Sequence, residues 1–276
     1  MLERTDRLAL AVKDADQACK DYAEIFDSEI IDDKLDPITH SRRVTIHWGQ
    51  DLIEFHEPTG PGPAAKFIEQ GHTGIFAGGF TSSDPAIVAK RIEGSGATVH
   101  DQGHDRYIVL PEDAGGTGII ITKSETRPRV GLNDKIWQIT YAAPKLKSAV
   151  DHYTDLLGLQ GVFTNYYTSD LFGYDGAITW FDAKDGGLLD SLEYLEPVDI
   201  DKAVARFVKK NGTGIYMASI ESPDIPAIKE RVINTGDGSG WSGTEFGGFI
   251  HPKRLHGLLI GLVEYDHWNA KRPLPA

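Results

Sequence analysis

The sequence predicts an α+β fold of four βαβββ modules, two in each of two duplicated halves, and three observations carry that expectation. Residues 65–76, AKFIEQGHTGIF, align without gaps to residues 205–216, ARFVKKNGTGIY, at an offset of 140. Upstream, RLALAVKDADQACKDYAEIF from Arg7 answers QITYAAPKLKSAVDHYTDLL from Gln138, which sets Tyr22 opposite Tyr153 at an offset of 131. Within each half, a short apolar strand is followed by an amphipathic helix and then by several strand-like runs.

The elements follow in order. RLALAV is a strand, and DADQACKDYAEIFD places Ala15, Ala18, Tyr22, Ile25 and Phe26 at helical spacing behind Asp14, whose carboxylate suits the N-cap. EIIDDKL, RRVTIHW and LIEFHEP are three short strands bounded by turn residues. GIFAGGF opens a second module, and its helix is entered through Ser83, Asp84 and Pro85 and closed at Gly94. ATVHDQ, DRYIVL and TGIIIT complete it. The second half repeats the scheme, and the halves meet near SETRPRVGLNDK. The expected division is a first domain over 1–126, a linker over 127–133 and a second domain over 134–276.

Composition narrows the function. The 276 residues are 40% hydrophobic and 25% charged, as in globular proteins, and no apolar run reaches the roughly 18 to 20 residues that span a bilayer. MLERTDRLALAV is too charged to read as a signal peptide, so a cytoplasmic location is expected. The single cysteine, Cys19, excludes an intramolecular disulfide and packs on a helix. A net charge of −13 argues against nucleic acid or an anionic membrane as partner. A small molecule is the expected partner, with a homo-oligomer as an option. GDGSGWSGTEFGG and EDAGGTG lack the GxxxxGK[ST] pattern of a phosphate loop and read as hairpin or lid.

The module order, with the pattern ExxEP…F…G…GI in both halves, resembles the vicinal oxygen chelate superfamily over about residues 5–265. That superfamily includes glyoxalase I, methylmalonyl-CoA epimerase, bleomycin-resistance proteins and extradiol dioxygenases. SLEYLEPVD and FIHPKRLHGLLIGLVE are the most epimerase-like phrases, while the four-module length is most similar to the extradiol dioxygenases. The resemblance implies two cup-shaped, glyoxalase-like domains, each able to hold a divalent metal through four strand positions, usually two His and two Glu or Gln. Those positions match Arg7, Glu54, Ala77 and Thr122 in the first half, and Gln138, Glu193, Met217 and Gly261 in the second. Too few of these ligate, so no cofactor is expected, and a divalent metal on unconventional ligands is the alternative.

What remains in the cups is one carboxylate each, Glu54 and Glu193. In an apolar cavity a carboxyl rises toward a pKa useful for proton transfer. Glu193, with Gln138 and His251 as partners, is the expected catalytic group, and Glu54 is a second candidate that Arg7 can instead neutralise across adjacent strands. Met217, Tyr167, Tyr174, Trp180, Trp241, Arg7 and His56 are expected to contact substrate, with Trp241 closing over it. His47 belongs at a rim, His152 on a helix beside Tyr153, and His100, His104 and His267 in solvent. The expected function is a metal-independent lyase or isomerase acting by proton transfer on a small oxygenated, apolar or aromatic carbonyl compound. The alternatives are a non-catalytic ligand-sequestering protein and a metal-dependent dioxygenase or epimerase.

Overall fold

Strand β1 (Arg4–Ala11) leads into α1 (Ala15–Phe26) and then into β2 (Glu29–Asp36), β3 (Ser41–Trp48) and β4 (Asp51–Pro58). A linking helix α2 (Pro63–Glu69) precedes the second module, which comprises β5 (Gly74–Ser82), α3 (Pro85–Gly94), β6 (Val99–Asp101), β7 (Arg106–Val109) and β8 (Gly118–Lys123). The third module comprises β9 (Ile136–Ala142), α4 (Leu146–Leu157), β10 (Thr164–Ser169), β11 (Tyr174–Trp180) and β12 (Ser191–Pro197). After α5 (Ala203–Asn211), the fourth has β13 (Gly214–Ser222), α6 (Ile225–Asn234), β14 (Trp241–Gly243), β15 (Gly247–Ile250) and β16 (Ile260–Glu264). This computed structural model describes residues 1–71, 74–181 and 190–264, so His267 lies outside the described residues.

The strands form two eight-stranded sheets of the same order, β2-β3-β4-β1-β5-β8-β7-β6 and β10-β11-β12-β9-β13-β16-β15-β14. Each sheet curls into a cup, and the four βαβββ modules pair into two cup-shaped domains. In each, the first strands of the two modules lie antiparallel at the centre, β1 with β5 and β9 with β13. Each of these is also parallel to the last strand of its own module. That arrangement brings four central strands to the floor of each cup.

The helices form because their apolar residues fall on one face, and in α1, α3 and α6 the first turn is also capped by an aspartate. Asp14, Asp84 and Asp224 accept hydrogen bonds from the backbone N–H groups of Gln17, Ile87 and Ala227. Helix α1 buries Ala15, Ala18, Cys19, Tyr22, Ile25 and Phe26 against the sheet. There Tyr22, Phe26, Trp48 and Phe55 meet edge to face or tilted, with centroids 5.0 to 6.2 Å apart. The second domain builds the same layer from Tyr141, Tyr153 and Tyr194. One continuous core joins the helical layers of both domains. Across it the Tyr22 hydroxyl donates to the carbonyl of Leu255, and the Tyr153 hydroxyl donates to that of Ala114.

Helices α2 and α5 were not expected, and they fall within the repeated stretch itself. Pro63 at the start of α2 supplies the φ a first turn needs and gives up only an N–H that the helix would not use. Both helices are short and pack outside the shared core, Phe67 and Ile68 of α2 and Val204, Phe207 and Val208 of α5 joining separate apolar clusters with the strands.

Candidate active site

In the first cup, Glu54 on β4 is 1% exposed and fully engaged. Arg106 on β7 reaches it with both terminal nitrogens, at 2.8 Å to Oε1 and 2.7 Å to Oε2. Arg7 on β1 donates from Nη1 at 2.9 Å, and its other terminal nitrogen donates to Asp6 and to the hydroxyl of Thr122. Arg7 and Thr122 are two of the positions from which the resemblance implied metal ligands, and here a guanidinium lies among them. Its path is opened by Gly79, where a Cβ would lie 1.9 Å from Arg7 Cγ. Burial would raise the Glu54 carboxyl, but Arg106, His56 and Arg7 hold it well below the ordinary carboxylate range. His56 is wholly buried, with Nδ1 at 3.0 Å from the Ser41 hydroxyl and 3.2 Å from that of Thr39. These placements correct the expectations for Glu54 as a catalytic group and for Arg7 and His56 as substrate contacts: all three are spent on a buried network.

The second cup keeps the carboxylate and loses the cations. Counted by strand register, the places of Arg7, Arg43 and Arg106 are taken by Gln138, Gly176 and Gly247. Glu193 on β12 lies beside Thr140 on β9, whose hydroxyl donates to Oε2 at 2.7 Å. The Tyr167 hydroxyl on β10 donates to Oε1. Tyr167 can cross β11 only because Gly176 has no side chain, since a Cβ there would fall 2.4 Å from Tyr167 Cζ. Burial pushes the Glu193 carboxyl up from its ordinary value, and the two hydroxyls only partly counter it. Burial and the neighbouring Glu193 also push the Tyr167 phenol up, so it stays protonated and donating.

Around this pair, pleat alternation puts Tyr174, Ile178 and Trp180 of β11 and Phe249 of β15 on the same face. Tyr167 meets Tyr174 edge to face at 6.2 Å, and Phe172 stacks on Tyr174 while its edge meets Phe249. Trp180 packs with Trp137, Ile178 and Val263. Gln138 lies one pleat from Glu193 and donates to Ser191 at 3.2 Å. Met217 is paired with Thr140 and fills the space left by Gly261, whose added Cβ would meet Met217 Cε at 2.9 Å.

Two expected members are elsewhere. His251 is exposed, caps the turn at Pro252–Arg254 and accepts the N–H of Lys253 on Nδ1, outside the cup. The strand that was to carry it inward ends at Ile250. Trp241 pairs with Ile250 and packs against the helix-side core, on the opposite face from the ligand space. Thr140, by contrast, was missed by sequence reasoning; its parallel pairing with Glu193 is tertiary, though its place two residues after Gln138 on β9 already put it on the cup face.

The donor set does not fit a metal of the usual kind. A β-bulge at Asp6, repeated at Trp137, shifts the register so that Gly79 and Ser219, not Ala77 and Met217, lie opposite Arg7 and Gln138. Among the described residues the second cup then offers Gln138, Ser219, Val263 and the single carboxylate Glu193, without an imidazole. Among the described residues, no group of three or more His, Cys, Asp or Glu is arranged to hold a metal ion.

The fold, two eight-stranded cups built from four βαβββ modules, is one that the chain shares with solved structures. Among solved structures, the chain is similar to a triple mutant of 4-hydroxymandelate synthase from Streptomyces coelicolor. The TM-score is 0.67 and the identity 15%, over 95% of this chain and 93% of that one. It is also similar to a xylose isomerase-like TIM barrel/4-hydroxyphenylpyruvate dioxygenase fusion protein, with a TM-score of 0.63 and 12% identity. That match covers 96% of this chain and 49% of the fusion protein. Methylmalonyl-CoA epimerase from Mycobacterium tuberculosis matches one half: 25% identity, 48% of this chain, 89% of that chain and a TM-score of 0.39. No protein-family model matches the chain, and no curated protein does.

Proposed function

We propose that the protein is an enzyme whose second cup transfers a proton on a small oxygenated compound with an apolar or aromatic body, as a lyase or isomerase. The observation that supports this most is Glu193: a carboxyl without a cationic partner among the described residues, pushed up by burial and held by Tyr167 and Thr140. As base, a Glu193 carboxylate oxygen takes the proton from the carbon next to a carbonyl. The Tyr167 hydroxyl holds and orients that carboxylate, and the Gln138 carboxamide, with one N–H on Ser191, has a second N–H as donor for the oxygen that gains charge. Tyr174, Trp180, Phe249 and Met217 supply an apolar wall on which the rest of the substrate rests.

Incubation of a panel of aryl and alkyl 2-oxo compounds in D2O, followed by NMR, tests this directly. Wild-type protein should exchange the proton next to the carbonyl. Glu193→Gln should slow exchange by about 10²- to 10⁴-fold with an unchanged melting temperature. Exchange that survives the substitution sinks the assignment.

A second reading, metal-dependent oxygenation on unconventional ligands, is favoured by the comparisons rather than by the donor set. Two solved structures that match nearly the whole chain are named for a hydroxymandelate synthase and a hydroxyphenylpyruvate dioxygenase. Metal analysis of protein purified without chelator separates the readings. Stoichiometric iron, with oxygen consumed on an aryl 2-oxo acid, establishes the second reading in place of the first.

A further inference from the structure

The two copies of the repeated stretch meet in space. Helix α2 of the first domain and helix α5 of the second line opposite sides of one cleft of about 730 Å³ between the domains. Lys66 and Phe67 face the cleft from α2, and their equivalents Arg206 and Phe207 face it from α5, joined by Lys210. Both helices show the same burial, with the cation exposed and the phenylalanine half-buried behind it. The floor crosses the domain boundary, where the Thr117 hydroxyl accepts the N–H of Ile215 at 2.9 Å.

Charge is what sets this cleft apart. The chain carries a net −13, yet the described lining of this cleft brings three cations together on one concave surface. Lys66, Arg206 and Lys210 have no carboxylate partner among the described residues; Arg206 donates only to the carbonyl of Asp201. Among the described residues, Glu112 is the only carboxylate residue of the lining. Three unpaired cations around a concave, partly aromatic surface make a local positive potential that the rest of the acidic surface opposes. An anion that also carries an apolar portion uses both features, since the ring faces of Phe67 and Phe207 give it area to cover.

We propose that this cleft is a second ligand site, separate from the cup, for a small organic anion. Its carboxylate or phosphate group lies among Lys66, Arg206 and Lys210, and its apolar body lies on Phe67 and Phe207.

Calorimetric titration of the whole protein with decanoate, decyl phosphate and inorganic phosphate tests it. At least one of the two amphipathic probes should bind once per chain and more tightly than inorganic phosphate, and the tighter of the two names the head group. Arg206→Glu in one domain and Lys66→Glu in the other, both at exposed positions, should each weaken that binding by about tenfold or more. Glu193→Gln should leave it unchanged, which keeps this result independent of the chemistry of the cup. Absence of saturable binding by either amphipathic probe, or binding indifferent to both charge reversals, overturns the proposal. So does binding lost with Glu193→Gln, because the probe is then in the cup.

Discussion

Glu54 and Glu193 occupy corresponding strand positions, yet their surroundings give them opposite chemistry. Glu54 sits among Arg7, Arg43 and Arg106 and remains ionised, while Glu193 faces hydroxyls and aromatic rings, and burial raises it. Removing the Glu54 charge leaves Arg7 and Arg106 buried without their shared partner. Glu54→Gln should therefore cost about 3–5 kcal/mol of stability, read from urea denaturation, with the exchange activity of the second cup intact. The raised Glu193 carboxyl gives a pH signature as well. A base must be deprotonated, so exchange activity should climb with pH through an apparent pKa above that of an ordinary glutamate. A flat profile through the acid limb would remove Glu193 from the role of base. The Arg7–Glu54 pair was legible in the sequence, because first and fourth strands of a module are neighbours. The second arginine was not, because Arg106 arrives from another module 52 residues away.

At the scale of the elements, glycines decide which side chains cross the strands. Gly79 makes room for Arg7, Gly176 for Tyr167 and Gly261 for Met217. Gly176→Ala should push the Tyr167 ring off Glu193 and cut exchange activity by roughly 10- to 100-fold, approaching the value of Tyr167→Phe. If Gly176→Ala retains full activity while Tyr167→Phe does not, the ring has another route to the carboxylate. The caps at Asp14 and Asp84 and the apolar face of α1 were readable from local sequence, since capping and helical spacing involve residues only a turn apart. Helices α2 and α5 were missed because each is short; the apolar face of α5, Val204, Phe207 and Val208, packs on strands of its own domain outside the main core. His251 and Trp241 were misplaced for a related reason: the strand ends after Ile250, and strand pairing turns Trp241 to the other face of its sheet.

Across the whole molecule, the duplication also builds a reciprocal clasp. Asp51 of the first domain accepts the backbone N–H of Ile136 and the guanidinium of Arg4. Its equivalent in the second domain, Asp190, accepts the N–H and hydroxyl of Thr5. Burial pushes Asp51 up to about 7, with Arg4 opposing and Asp6 adding to the shift. An acid whose pKa is higher folded than unfolded contributes stability below its unfolded pKa, and loses it as pH rises through the folded value. The melting temperature should therefore decline between pH 4 and about 7 by an amount that Asp51→Asn reduces. An unaltered slope in the variant would place the titration elsewhere. The sequence by itself determined the duplication, the four modules and the carboxylate at the head of each ExxEP stretch, because periodicity, caps and internal repeats are local and copied. Only the tertiary structure decided which carboxylate is neutralised, that Tyr167 and Thr140 hold the other, and that the repeated stretches face each other across one cleft. Those outcomes depend on strand register and on contacts between modules, where a bulge or a missing side chain redirects a group by a whole pleat.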